Sequence, residues 1–195
     1  MNWLDRAAIA DSLPAVWLIA TGRAPRTIDE RSALRRRVAR EVLGRQLGQP
    51  VAIAHDDAGR PQLAGLPELH ISLATRGGVV ALALAQNPVG VDIEALTPAP
   101  FPTSMLHEAE RAAIDALPAA ARPLGFTRIW AAKEAYVKAL GAGFLRAPDS
   151  FCVRLEGERF RIDDGQRPTT AQGWLRAMKN GGQEDLAAAV FIFTA

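Results

Sequence analysis

The chain has 195 residues, 49% of them apolar and 23% charged, with a formal net charge of +2. At roughly 150 residues per domain this is one large domain or two small halves, long enough to bury a core without covalent staples. That balance excludes a disordered or collagen-like chain, and the single cysteine, Cys152, excludes an intramolecular disulfide framework and a cysteine metal cluster.

Residues 15–20 predict a first strand. The apolar run that contains it, residues 13–20, is too short to span a bilayer. Asp5, Arg6 and Asp11 ahead of it are unlike a basic export leader. The expectation is a soluble, cytoplasmic protein with no membrane partner.

A helix is predicted over residues 28–47, with Asp29 and Glu30 suited to its N-terminus. Of the 23 basic residues only Lys133, Lys138 and Lys179 are lysines. Eight arginines (23, 26, 31, 35, 36, 37, 40 and 45) fall in residues 21–45 against Asp29, Glu30 and Glu41. Such a surface attracts anions, or else it is a solvated face whose arginine stems cover apolar neighbours. At ~100° per residue, Arg31 and Arg35 share an arc with Val38 and Val42, and Arg36 and Arg40 share one with Leu43 and Leu47. Either arc brings guanidiniums to the core or a cleft edge, where their planar fork suits phosphate oxygens.

Residues 51–55 predict a short strand, closed by the turn signal Asp56-Asp57-Ala58-Gly59-Arg60-Pro61. Two strands, 69–73 and 79–85, are joined through Gly77-Gly78. Another strand, 89–96, runs into Thr97-Pro98-Ala99-Pro100-Phe101-Pro102, whose prolines end regular pairing. Helices follow over 106–117 and 123–140, then strands over 151–155, 159–162, 173–178 and 186–193. Helix precedes paired strands in each half. The order predicts an α+β fold of two similar halves, residues 1–96 and 97–195.

The densest chemistry lies in Gly90-Val91-Asp92-Ile93-Glu94. On a strand Asp92 and Glu94 share a face, about 6.6 Å apart, while Val91 and Ile93 face the core. Two such carboxylates can hold a hard divalent cation, magnesium above all, or simply form the polar face of a half-exposed strand. The predicted helix 123–140 gathers Phe126, Ile129, Trp130, Val137 and Leu140 into an apolar stripe, with Glu134 and Lys138 paired at its edge. Lys133 falls near the middle of the stripe, where an ammonium requires an anionic partner. Carboxylates for a metal and lysines for the phosphates it bridges would together suit phosphoryl transfer.

Gly90-Val91-Asp92-Ile93-Glu94 and Trp130-Ala131-Ala132-Lys133-Glu134-Ala135-Tyr136-Val137-Lys138 resemble, in order and spacing, the signature motifs of the 4′-phosphopantetheinyl transferases. The likeness is to the surfactin-type class, which has two pseudo-symmetric halves in one chain, and it implies an active site in the cleft between them. Gly59-Arg60-Pro61 is similar to the family's Gly-Lys-Pro element. Gly141-Ala142-Gly143 and Phe151-Cys152-Val153 stand where the family has its post-helix loop and strand. The likeness runs from about residue 28 to 155.

The resemblance implies transfer of 4′-phosphopantetheine from coenzyme A to a serine of an apo acyl or peptidyl carrier protein, releasing adenosine 3′,5′-bisphosphate. It implies magnesium on Asp92, Glu94 and Glu134. It gives Glu134, Lys138 and Glu110 catalytic roles, with Glu108 the weaker candidate beside Glu110. Coenzyme A would be bound by Arg31, Arg36, Arg60, Thr75, Arg76, Lys133 and Lys138. The family's Ser-His pair, where histidine helps bind the 3′-phosphate, is matched here by Ala74-Thr75, so Arg76 is expected to compensate. His55, His70 and His107 are expected to be packing, loop or surface residues rather than ligands. A two-half chain is expected to act as a monomer. The alternative is a module of the same fold that binds coenzyme A or a carrier without turnover. A nucleic-acid partner is disfavoured, because no aromatic stacking platform or reading module accompanies the arginines.

Overall fold

A computed structural model describes residues 1–141, 146–167, 169, 171–180 and 184–194. The described residues form three α-helices and two sheets. In chain order they are β1 (Trp3–Leu4), β2 (Ala15–Ala20), α1 (Ile28–Leu47), β3 (Ile53–His55), β4 (Pro61–Leu63), β5 (His70–Arg76), β6 (Val79–Ala85) and β7 (Val89–Ala95). There follow α2 (Glu108–Asp115), α3 (Arg122–Leu140), β8 (Cys152–Glu156), β9 (Arg159–Asp163), β10 (Gln172–Asn180) and β11 (Glu184–Ile192).

The first sheet has the order β1-β2-β6-β5-β4-β3 and the second β7-β11-β10-β9-β8. Strand periodicity stacks them into four layers. On β6, Val80, Leu82 and Leu84 pack towards Val38, Val42 and Leu43 of α1. The intervening Val79, Ala81, Ala83 and Ala85 pack against Val91 and Ile93 of β7 and Ala188 and Val190 of β11. On the far side of β11, Ala189 and Phe191 meet Ala135, Tyr136 and Ala139 of α3. The order is therefore α1, first sheet, second sheet, α3, with helices outside and small side chains where the sheets meet.

Both long helices are bounded as their sequences direct. Thr27 caps α1 by accepting from the Glu30 amide at 3.1 Å. Gly48 and Gly141, at φ +68° and +66°, end α1 and α3 in the left-handed region. The resemblance's Ala142 and Gly143 lie outside the described residues.

Three expectations are corrected. The strand at 89–95, assigned above to the N-terminal half, hydrogen-bonds to β11 in the second sheet, with Val91 opposite Val190. Tertiary pairing thus places the boundary between sheets before β7. The apolar stripe of α3 is broader than expected: Phe126 and Ile129 are buried, but so are Ala131, Ala132, Ala135, Tyr136 and Ala139, while Trp130, Val137 and Leu140 are partly covered. Short strands β1 and β4 carry too little periodicity to be read from sequence, and Pro61, taken for the end of a turn, opens β4.

Gly90 explains how close α3 lies. A Cβ built there would collide with the Ala135 carbonyl oxygen and the Ala139 amide nitrogen, both backbone atoms that cannot swing aside. Gly90→Ala should therefore lower unfolding stability by about 1–3 kcal/mol in urea denaturation, as overpacking forces the helix outward. An unchanged midpoint would contradict this contact.

Candidate active site

Gly90, Asp92 and Glu94 alternate with Val91 and Ile93 on β7, so the face that admits α3 also carries both carboxylates. α3 answers with Glu134 and Lys138, one turn apart. Lys138 Nζ donates to Asp92 Oδ1 at 2.6 Å and to the Val91 carbonyl at 3.2 Å. The Val91 amide donates to Ser72 Oγ of β5 at 3.0 Å. The backbone of Val91 is thus held by one side chain from each half.

The carboxylates repel one another. Burial, Asp92 and Glu134 push Glu94 up to about 7, against the opposing pull of Arg76 and Lys138. Burial and then Asp92 also raise Glu134 above the usual carboxylate range, with Lys138 opposing. Asp92 Oδ2 is buried without a hydrogen-bond partner among the described residues. Among those residues no three or more acidic, His or Cys side chains stand in positions that could together hold a metal ion. The chemistry of the cluster nevertheless suits a hard divalent cation: carboxylate oxygens, with Glu94 and Glu134 held above their usual range and one buried oxygen of Asp92 unsatisfied.

Lys138 also borders a cavity of about 270 Å³ lined by Ser32, Arg35 and Arg36 of α1, His55 of β3, residues 58–61, Ile71, Ser72 and Leu73 of β5, and Gly141. Four cationic side chains, Arg35, Arg36, Arg60 and Lys138, meet there, and no carboxylate is among the described lining residues. Burial, then the Arg31 and Arg36 guanidiniums, lower the pKa of Arg35. A polyanion relieves that repulsion. Arg60 is held at 3.5 Å from Asp56, whose Oδ1 also accepts from the Arg60 amide at 2.8 Å. Its guanidinium lies across Gly141, where any Cβ would overlap it.

The sequence-derived candidates divide accordingly. Asp92, Glu94, Glu134 and Lys138 cluster, and Arg36 and Arg60 line the adjoining cavity. Arg31 is exposed and does not line it, because one further residue of helical rotation carries Ser32, Arg35 and Arg36 inward instead. Thr75 and Arg76 also lie off this wall. Thr75 Oγ1 is buried without a partner among the described residues, and Arg76 Nε stands 3.6 Å from Glu94 Oε2. The place that the resemblance gave to Ala74-Thr75 falls on Ser72 and Leu73. Arg35 stood on one of the two arginine arcs read from the sequence, whereas Ser32, His55, Ser72 and Leu73 were missed as wall residues; the i, i+3, i+4 spacing of Ser32, Arg35 and Arg36 was the available signal on α1.

Glu110 and Lys133 are drawn elsewhere. They form a buried ion pair at 2.8 Å, with side-chain exposures of 0% and 1%. Glu110 also accepts from the Val153 amide at 2.6 Å and the His107 amide at 2.8 Å, completing the capping box of α2. Lys133 Nζ donates further to the carbonyls of Pro148 and Phe151. Burial lowers the pKa of Lys133, and Glu110 opposes the fall. With its three donors engaged, Lys133 has none left for a phosphate, and the pair ties α2, α3 and β8 together.

Removing one partner of that pair leaves a buried charge. Glu110→Ala should cost about 3–5 kcal/mol in chemical denaturation. Asp163→Ala, which breaks the exposed pair with Arg154, should leave the denaturation midpoint essentially unchanged. In metal-free protein Glu94 should titrate near 7 by NMR, falling in Asp92→Asn and rising in Lys138→Met. Its folded value exceeds the unfolded carboxyl range of about 4.3, so its contribution to stability is present below that range and is lost as pH rises through 7.

A family model described as the 4′-phosphopantetheinyl transferase superfamily matches residues 88–190, the span from β7 to β11. A 4′-phosphopantetheinyl transferase of Bacillus subtilis is 25% identical over 123 residues, covering 60% of this chain and 55% of that protein. The transferase psf-1 of Bacillus pumilus is 29% identical over 119 residues, covering 58% and 51%. The chain thus spans about half the length of the curated relatives it matches. Among solved structures, a holo-(acyl-carrier-protein) synthase of Bacillus anthracis in complex with CoA (3′,5′-ADP) aligns with a TM-score of 0.42 at 22% identity, over 55% of this chain and 96% of that one. The Thermotoga maritima holo-[acyl-carrier-protein] synthase gives 0.40 at 17%, over 55% and 64%. With the family model spanning more than half of its residues, the chain belongs to the 4′-phosphopantetheinyl transferase superfamily.

Proposed function

We propose that this protein transfers 4′-phosphopantetheine from coenzyme A to a serine hydroxyl of an apo acyl or peptidyl carrier protein, releasing adenosine 3′,5′-bisphosphate. The observation that carries this reading is the position of Lys138, which borders the carboxylate-free cationic cavity and pairs with Asp92 of the acid cluster. A polyanion in that cavity lies beside the carboxylates, in the arrangement phosphoryl transfer requires.

Arg35, Arg36 and Arg60 bind coenzyme A phosphates, and Lys138 stabilises charge on the leaving bisphosphate. Asp92, Glu94 and Glu134 are the residues to hold Mg²⁺, which when bound neutralises and orients the pyrophosphate. Glu134, its pKa raised by burial and Asp92, accepts the serine proton as the oxygen–phosphorus bond forms and the anhydride bond breaks. Glu110 and Lys133 act at a distance by fixing α3 against α2. The protein is proposed to act in the cytoplasm, and as a monomer, the latter since residues of both halves line this cavity. No helix among the described residues is long and apolar enough to cross a membrane.

The direct test incubates the full chain with coenzyme A, an apo carrier domain and Mg²⁺, then measures the carrier by mass spectrometry. A phosphopantetheine adduct on the carrier serine, lost with chelator, is expected. Asp92→Asn and Glu134→Gln should lower kcat by about 100-fold or more. Arg35→Ala and Arg60→Ala should instead raise the KM for coenzyme A, on the order of tenfold. Binding of coenzyme A without an adduct would favour a non-catalytic binding module.

A further inference from the structure

The acid cluster has a counter-ion from each half of the molecule. Lys138, from the second half, is anchored, because its ammonium also holds the Val91 carbonyl and its side chain is 32% exposed. Arg76, from the first half, is different. It is the last residue of β5, on the same face as Ser72, whose hydroxyl meets Val91. That register delivers its guanidinium to Glu94, two residues further along β7 than Asp92. Its Nε stands 3.6 Å from Glu94 Oε2, beyond hydrogen-bond range, and its side chain is 48% exposed. The contact is an ion pair with little holding energy and open water beside it.

We propose that Arg76 is an internal, displaceable counter-ion that competes with a divalent cation for Glu94, so that loading the acid cluster is an exchange of cations rather than a simple addition. This rests on the reading of Asp92, Glu94 and Glu134 as the cation's ligands and adds a residue that tunes it. In the ligand-free protein Arg76 and Lys138 balance part of the cluster's negative charge. When the cation takes Glu94, the half-exposed guanidinium swings into solvent, whereas Lys138 keeps its backbone acceptor.

The test uses the full chain without coenzyme A and reads binding rather than turnover. Mn²⁺ serves as the probe, with free ion followed by electron paramagnetic resonance. Arg76→Ala should bind Mn²⁺ about two- to five-fold more tightly than wild type, the range expected for losing an exposed pair. Arg76→Lys retains the charge and should stay within about twofold of wild type. Added salt should narrow the difference between Arg76→Ala and wild type by screening the pair. If wild type binds no Mn²⁺, or binds it as well in Asp92→Asn, the ligand assignment fails and this inference with it. If wild type binds, Asp92→Asn does not, and Arg76→Ala binds equally or more weakly, the counter-ion inference alone is overturned.

Discussion

The contact on which this protein is built is that of α3 with β7 at Gly90. Only the absence of a side chain there lets the helix backbone approach the strand. That approach brings Lys138 within 2.6 Å of Asp92 and sets Glu134 beside the strand's carboxylates. The motif that carries the chemistry and the glycine that positions it are adjacent on one strand, facing the same way.

Two lysines on α3, five residues apart, show how satisfaction separates structure from function. Lys133 is buried, paired with Glu110 and supplied with two carbonyl acceptors, so nothing remains for a ligand. Lys138 is part-exposed, and its partner Asp92 keeps one buried oxygen unsatisfied among the described residues. A complete buried network rigidifies; an incomplete one invites a ligand. The Tyr136 hydroxyl, bonded to Asp164 at 2.8 Å, belongs with Lys133 on the structural side.

The two halves repeat one construction, a helix laid on a sheet, and they join through the sheets' small-residue faces. Between them Ser72, Arg76 and Arg60 reach across from the first half to Val91, Glu94 and Gly141 in the second. The cationic cavity lies on this seam, so neither half alone supplies its wall. Arginines of α1 and the ammonium of α3 both reach this cavity, although the two helices occupy opposite outer layers of the stack.

Much of this was legible in residue order. Periodicity, with Asp29 and Glu30 at the helix start, located α1 at residues 28–47 and the alternation of β7, because such signals are local. Asp92 with Glu94, and Glu134 with Lys138, were recognisable as pairs from strand and helix spacing alone. Tertiary structure decided the rest: that the two pairs meet, that β7 joins the second sheet, that Ser32, Arg35 and Ser72 line the cavity while Arg31 and Thr75 do not, and that Lys133 serves Glu110. The reason is geometric. Spacing along a chain assigns residues to a face, but the packing of helices and sheets determines what that face meets.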